Sequence, residues 1–161
     1  MKDIRITHFE ELCLHKKILL DSCQKLATYF LINDNEDFAL MLMKRAFVHD
    51  TSKLSKAEFH AADAFDSFSK DSRKGNQDFT KKERIFLEIH WKNNKHHPEH
   101  WENIRDMKDI DIAEMVCDWH ARSVEFDDDL IEYIGYRQKA RFAFPDDMYE
   151  KIMYYAKILV N

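Results

Sequence analysis

Glycine and proline are nearly absent, with two of each in 161 residues. A β-sandwich or barrel builds its many tight turns from those residues, so their scarcity argues against such folds. Cysteine is scarce too. Cys13, Cys23 and Cys117 are odd in number and form no paired framework, which suits a reducing cytosol. Cys13 and Cys23 as redox partners are the minor reading. No run approaches the ~18 apolar residues of a membrane span. The opening residues, Met1-Lys2-Asp3-Ile4-Arg5, lack the apolar core of a signal peptide. A soluble cytoplasmic protein with no membrane partner is expected. Excess positive charge is missing as well. Lys and Arg total 25 against 30 Asp and Glu, a net charge of -5, which makes duplex nucleic acid a poor partner. A small phosphorylated molecule needs only one local basic pocket.

What is present is a core-forming, helix-patterned chain. Hydrophobic residues make up 45% and aromatics 13%, enough for a substantial core at this length. The length fits one domain. Apolar residues recur at helical spacing from about Phe9 to Phe30, with His15 on the same stripe. Asn33-Asp34-Asn35 breaks that helix. A mostly apolar segment from about Phe38 to Val48 reads as a second, central helix and delivers His49-Asp50 at its end. Ser55-Lys56-Ala57-Glu58 and Thr80-Lys81-Lys82-Glu83 read as capping boxes. The first opens a helix to about Phe68. The second opens one to about Asn93, with Ile85, Phe86 and Ile89 facing the core. Between them, Ser69 to Asp78 is the most polar stretch and reads as a mobile loop or lid.

Downstream, Asn94 to His97 is irregular and Pro98 starts a short helical turn. Asp109 or Asp111 caps a helix that carries Glu114, Asp118 and Arg122. Leu130 to Arg141 is helical. A last amphipathic helix follows Pro145 and runs to about Val160. Its apolar side is Ile152, Tyr155, Ile158 and Leu159, and Tyr149, Tyr154 and Tyr155 offer a homodimer surface. The sum is an all-α, single-domain helical bundle over residues 1–161, with about six to eight helices.

The chemistry concentrates in His49-Asp50-Thr51-Ser52-Lys53 and in the cluster His90, His96, His97 and His100. Imidazole and carboxylate are what a divalent transition metal takes, and a nearby lysine suits a phosphate. The order His15, His49-Asp50, His90, His96 or His97, Asp118 is H…HD…H…H…D. It resembles the HD-domain superfamily of metal-dependent phosphohydrolases over about residues 9–125, leaving 126–161 as C-terminal helices. Lys53 also fits the HD-x-x-K form of that motif. Four phrases are similar to a small uncharacterised family of bacterial and viral genomes: His49-Asp50-Thr51-Ser52-Lys53-Leu54-Ser55, Glu58-Phe59, Asn94-Lys95-His96-His97-Pro98-Glu99-His100-Trp101 and Glu114-Met115-Val116-Cys117-Asp118-Trp119. That family brings no assigned substrate. Its members often carry a His-His pair where this chain has Ile89-His90-Trp91.

The resemblance implies an all-α fold in which His15, His49, Asp50 and Asp118 hold one metal. It implies that His90 and His96, with His97 the runner-up, hold a second. One or two ions of Mn, Fe, Co, Ni or Zn are expected. Asp50 and Glu114 would serve catalysis directly or by orienting a water. Lys53, Lys95 and Arg122 would bind the phosphates of a nucleotide or other small phosphate ester. Each residue has a plainer reading. His49 can simply close a helix C-terminus, His15 can be a core histidine, the cluster can be a polar turn, and Lys53, Lys95 and Arg122 can be surface charges. Asp118 is the sharpest conflict. Ile112, Met115, Val116 and Trp119 form an apolar face, which leaves Asp118 with Asp111, Glu114, Arg122 and Glu125 on what is ordinarily a solvated one. Two other functions use the same residues: a di-iron oxygenase on this scaffold, and a non-catalytic, metal-containing helical binding protein.

Overall fold

A computed structural model describes residues 4–62 and 81–161. The described residues are helical and contain no strand, so the chain is a single-domain all-α bundle. The helices are α1 (Ile4–Ile32), α2 (Glu36–Val48), α3 (Lys56–Ala62), α4 (Lys81–Asn93), α5 (Asp109–Phe126), α6 (Leu130–Glu132), α7 (Lys139–Phe142) and α8 (Asp146–Val160). Short 3-10 turns cover Thr51–Leu54, Pro98–His100 and Ile104–Asp106. Between α6 and α7 the helix widens to π geometry over Tyr133–Gln138. No helix among the described residues is long and apolar enough to cross a membrane. The expected polar lid at Ser69 to Asp78 lies outside the described residues, as do Thr80 and the stretch of the third helix beyond Ala62.

The core runs along α1, α2, α5 and α8. Leu19, Cys23 and Leu26 of α1 meet Leu42 and Ala46 of α2, Ala113, Val116 and Cys117 of α5, and Ile152, Ala156 and Leu159 of α8, all fully buried. Each buried Leu or Ile contributes about 1.5–3 kcal/mol relative to exposure. The alanines let helix axes approach closely. Cys23 packs with Cys117 rather than with Cys13, which is exposed, so the Cys13–Cys23 redox pair does not form.

The central helix is α5, not α2. Every residue of α5 from Ile110 to Trp119 is buried. α2 buries only Ala39, Leu42 and Ala46 and leaves Leu40, Met41, Phe47 and Val48 about half exposed or more. Smaller expectations shift for local reasons. The α4 core face is Phe86, Leu87 and His90, while Ile85 is exposed. Tyr155 packs into the core and the half-buried Tyr149 packs against it, so of the three tyrosines of α8 Tyr154 is the exposed one. Lys108 occupies the cap position of α5, and Asp111 accepts its backbone N–H at 3.1 Å. Ser55 caps α3 by accepting from the Glu58 N–H, but the Glu58 carboxylate turns inward and leaves the box half formed.

Candidate metal centre

Four helices, one turn and one irregular segment converge on a buried polar pocket. α2 ends at Val48, and Asp50 then takes left-handed backbone angles (φ 54°), a conformation that Asp tolerates better than most residues. The 3-10 turn that follows places residues i and i+3 one above the other. Lys53 therefore sits over Asp50, with Nζ 2.6 Å from Oδ2. On α1, His15 faces α5. There it meets Asp118 and Glu125, which share one face two turns apart. α4 supplies His90, and the irregular Asn94–His97 segment supplies His96 and His97.

The donors form groups in which one ligand atom from each residue lies within 4.8 Å of the others. His15, His49 and Asp118 make a first group. Asp50, His90, His96 and His97 make a second. His49, His96 and Glu114 link them. In the first, His15 Nε2 is 3.0 Å and His49 Nε2 3.8 Å from Asp118 Oδ1. In the second, Asp50 Oδ1 is 3.4 Å from His90 Nε2 and 3.5 Å from His96 Nε2, and the Nε2 atoms of His90 and His97 are 2.9 Å apart. Metal bonds of about 2.0–2.2 Å place neighbouring ligand atoms about 2.8–3.1 Å apart in octahedral and about 3.3–3.6 Å apart in tetrahedral geometry.

Hydrogen bonding at the far side of each imidazole decides which nitrogen is available. An ionised carboxylate only accepts. His15 Nδ1 donates to Glu125 Oε1 (2.6 Å), His49 Nδ1 to Glu114 Oε1 (2.9 Å) and His90 Nδ1 to Glu58 Oε2 (3.0 Å). A neutral ring so tethered turns its Nε2 lone pair into the pocket, the arrangement that supports metal-binding histidines; for His90 that nitrogen lies against His97 Nε2 at 2.9 Å. His15 Nε2, His49 Nε2, His96 Nε2 and Asp50 Oδ1 are buried without a hydrogen-bond partner. Acceptors facing one another at these distances repel unless a cation lies among them. These buried His/Asp/Glu clusters fit a metal ion.

The electrostatics favour ligand-ready forms. Burial drives the His49 imidazole down to about 4, and burial likewise lowers His90 and His97. Burial raises the carboxyls of Asp50 and Asp118, but the surrounding histidines, and Lys53 beside Asp50, outweigh it and hold both well below the usual carboxylate range. His96 is the exception. Burial lowers it, yet Glu114 and Asp50 raise it further.

Asp118 resolves the conflict in its helix pattern. The polar stripe Asp111, Glu114 and Asp118 is buried because it faces polar partners instead of water: Arg45 on Asp111 and Glu114, His49 on Glu114, and His15 on Asp118. Glu114 bridges His49 and the Arg45 guanidinium, whose Nε donates to Oε2 at 2.6 Å. Arg122 lies at the pocket edge on Glu125 (2.8 Å), while Lys95 is exposed on the loop before His96. His100 lies outside the cluster, its Nδ1 on the Trp91 carbonyl at 3.0 Å. Both His96 and His97 are brought in. Two residues were missed as site residues, Glu58 and Glu125. Glu58 looks like a cap and Glu125 like a surface charge. For Glu125 the available signal was its place two turns after Asp118 on α5; α3 carries no ligand from which Glu58 could have been read.

Residues 5–158 match a family of unknown function, DUF5662. The chain belongs to that family. No curated protein and no solved structure matches it. Membership in DUF5662 therefore assigns no chemistry, and the argument for function rests on the pocket.

Proposed function

We propose that this DUF5662 protein is a metal-dependent phosphohydrolase of the HD-domain type, acting on a nucleotide or another small phosphate ester. The observation that carries the reading is the set of bare Nε2 and Oδ1 atoms that converge from α1, the His49-Asp50 corner and the Asn94–His97 segment. His15, His49 and Asp118 would hold one ion, and Asp50, His90, His96 and His97 a second. A divalent ion bound there supplies a Lewis acid and an acidified water for attack on phosphorus.

The protein's own groups do the positioning. Glu114, Glu125 and Glu58 fix three imidazoles and their tautomers. Lys53, paired with Asp50, puts a cation beside the donors, and Arg122 puts a second at the pocket edge, where each can meet phosphoryl oxygens. Lys95 would reach only the outer part of a substrate. The net charge of -5 favours a small phosphate over duplex nucleic acid.

The test is a panel of nucleotides, sugar phosphates and generic phosphomonoesters, offered to protein loaded in turn with Mn, Fe, Co, Ni or Zn. Phosphate release that disappears in Asp50→Ala and Asp118→Ala supports the reading. An oxygen-dependent reaction of the iron form would support a di-iron oxygenase instead, since His and carboxylate suit iron equally. Full metal occupancy without turnover would indicate a non-catalytic binding protein.

A further inference from the structure

The two donor groups are unequal. The first offers three protein ligands: His15, His49 and Asp118. The second offers four: Asp50, His90, His96 and His97. Asp50 does not give both oxygens to metal chemistry on equal terms. Oδ2 is held by Lys53 at 2.6 Å, and the bare oxygen is Oδ1, the one that faces His90 and His96. A site with four protein donors closes on its ion, whereas three donors leave a position open for water or substrate.

The supporting carboxylates differ in the same sense. Glu114, behind His49, is neutralised by Arg45, and Glu125, behind His15, by Arg122. Glu58, behind His90, is fully buried and accepts from His90 Nδ1, Asn93 Nδ2 (2.8 Å) and Ser52 Oγ (3.0 Å). Among the described residues no Lys or Arg pairs with it. An uncompensated carboxylate makes the imidazole it supports a stronger donor.

Resting on the two-ion reading above, we propose that Asp50, His90, His96 and His97 form a closed site that fills first and retains its ion, with Glu58 as its positioning residue. The His15, His49 and Asp118 site is then the open, exchangeable one, where water and phosphate enter beside Arg122. His97 is what makes the difference, because it converts a three-donor set into a four-donor one.

The experiment is zinc release from the full-length, zinc-loaded protein into a colorimetric chelator. Two equivalents should leave in two phases separated by about 10-fold or more in rate, the size of effect that ligand support commonly has. His15→Gln should abolish the fast phase and keep the slow one. His97→Gln and Glu58→Gln should keep the fast phase and speed the slow one by about 10- to 100-fold. A second readout needs no variant. The first equivalent of cobalt added to metal-free wild type should give the intense visible band of a four-coordinate ion. A slow phase lost in His15→Gln but kept in His97→Gln, or a weak band from the first cobalt, would overturn the proposal and leave the two-ion reading standing. A wild type that takes up neither zinc nor cobalt would overturn both.

Discussion

The two halves of the pocket are built from different kinds of structure. His15, His49 and Asp118 sit on or at the ends of α1, α2 and α5, long helices clamped by Leu19, Leu42 and Val116. Asp50, His90, His96 and His97 come from a left-handed corner, α4 and an irregular loop, tied by Glu58, Ser52 and Asn94. In the first half, hydrophobic packing fixes ligand directions before any metal arrives. In the second half, hydrogen bonds do so. The comparison teaches that a carboxylate behind a histidine can matter in two ways: it sets the tautomer everywhere, and it also holds the backbone together where the core does not.

The largest expected effect comes from Asp50, whose Oδ1 faces His90 and His96 and whose Oδ2 is 3.5 Å from His49 Nε2. Asp50→Ala should remove an Oδ1 ligand from the second group and the partner of Lys53. Metal content, read by elemental analysis, should fall by one equivalent, with loss of any phosphatase activity. Retention of a full complement would break the comparison at its hinge.

Glu114→Gln comes next, because Glu114 touches His49 directly, lies 3.5 Å from His96 and pairs with Arg45. Arg45 is about a quarter exposed and keeps Asp111, so the folding cost should be about 1–3 kcal/mol. Metal affinity at both halves should drop about 10- to 100-fold. Calorimetric titration and thermal melts check the two numbers separately. Among the metal-site histidines Glu125 touches His15, and its other oxygen holds Arg122, so Glu125→Gln acts on the first group. It should weaken one equivalent by about 10-fold and leave the other unchanged.

Acid should act on the metal-free pocket with a defined sign. The folded His49 titrates near 4, below its unfolded value of about 6.5. Between those values the unfolded chain binds a proton that the fold refuses, so stability falls as pH drops through that window. His90 and His97 act in the same direction. The depressed Asp50, Asp118 and Glu114 extend the loss to lower pH. His96 opposes them, since its raised value adds stability on the acid side and loses it as pH rises. The melting temperature of the metal-free protein should therefore fall from pH 7 to pH 5. An increase would show that the buried histidines are not held neutral.

The smallest effect belongs to His100→Ala. Its ring bonds to the Trp91 carbonyl outside both groups, so metal stoichiometry should not change.

Periodicity alone made the helices legible, because apolar spacing along α1, α4 and α8 reports burial directly. It misplaced the centre of the bundle for a physical reason. α2 is mostly apolar, yet Leu40, Met41, Phe47 and Val48 face outward, while α5 carries a charged stripe and is buried. A sequence shows that a face is polar but not what it faces. For the same reason Asp118 looked solvated, and its place beside His15 was legible only through the H…HD…H…H…D order. Glu58 was masked by a competing local role, since a glutamate three residues after a serine is the usual mark of a helix start. His96 and His97 could not be ranked because irregular backbone gives adjacent side chains no fixed period, and both point inward.

The most direct test of a two-site metal centre is anomalous diffraction from crystals of the metal-loaded protein. The expected result is two peaks: one bonded to His15 Nε2, His49 Nε2 and Asp118, the other to Asp50 Oδ1 and the Nε2 atoms of His90, His96 and His97. No peak at either position in crystals soaked with zinc, with those nitrogens bonded to water or to one another, would contradict it.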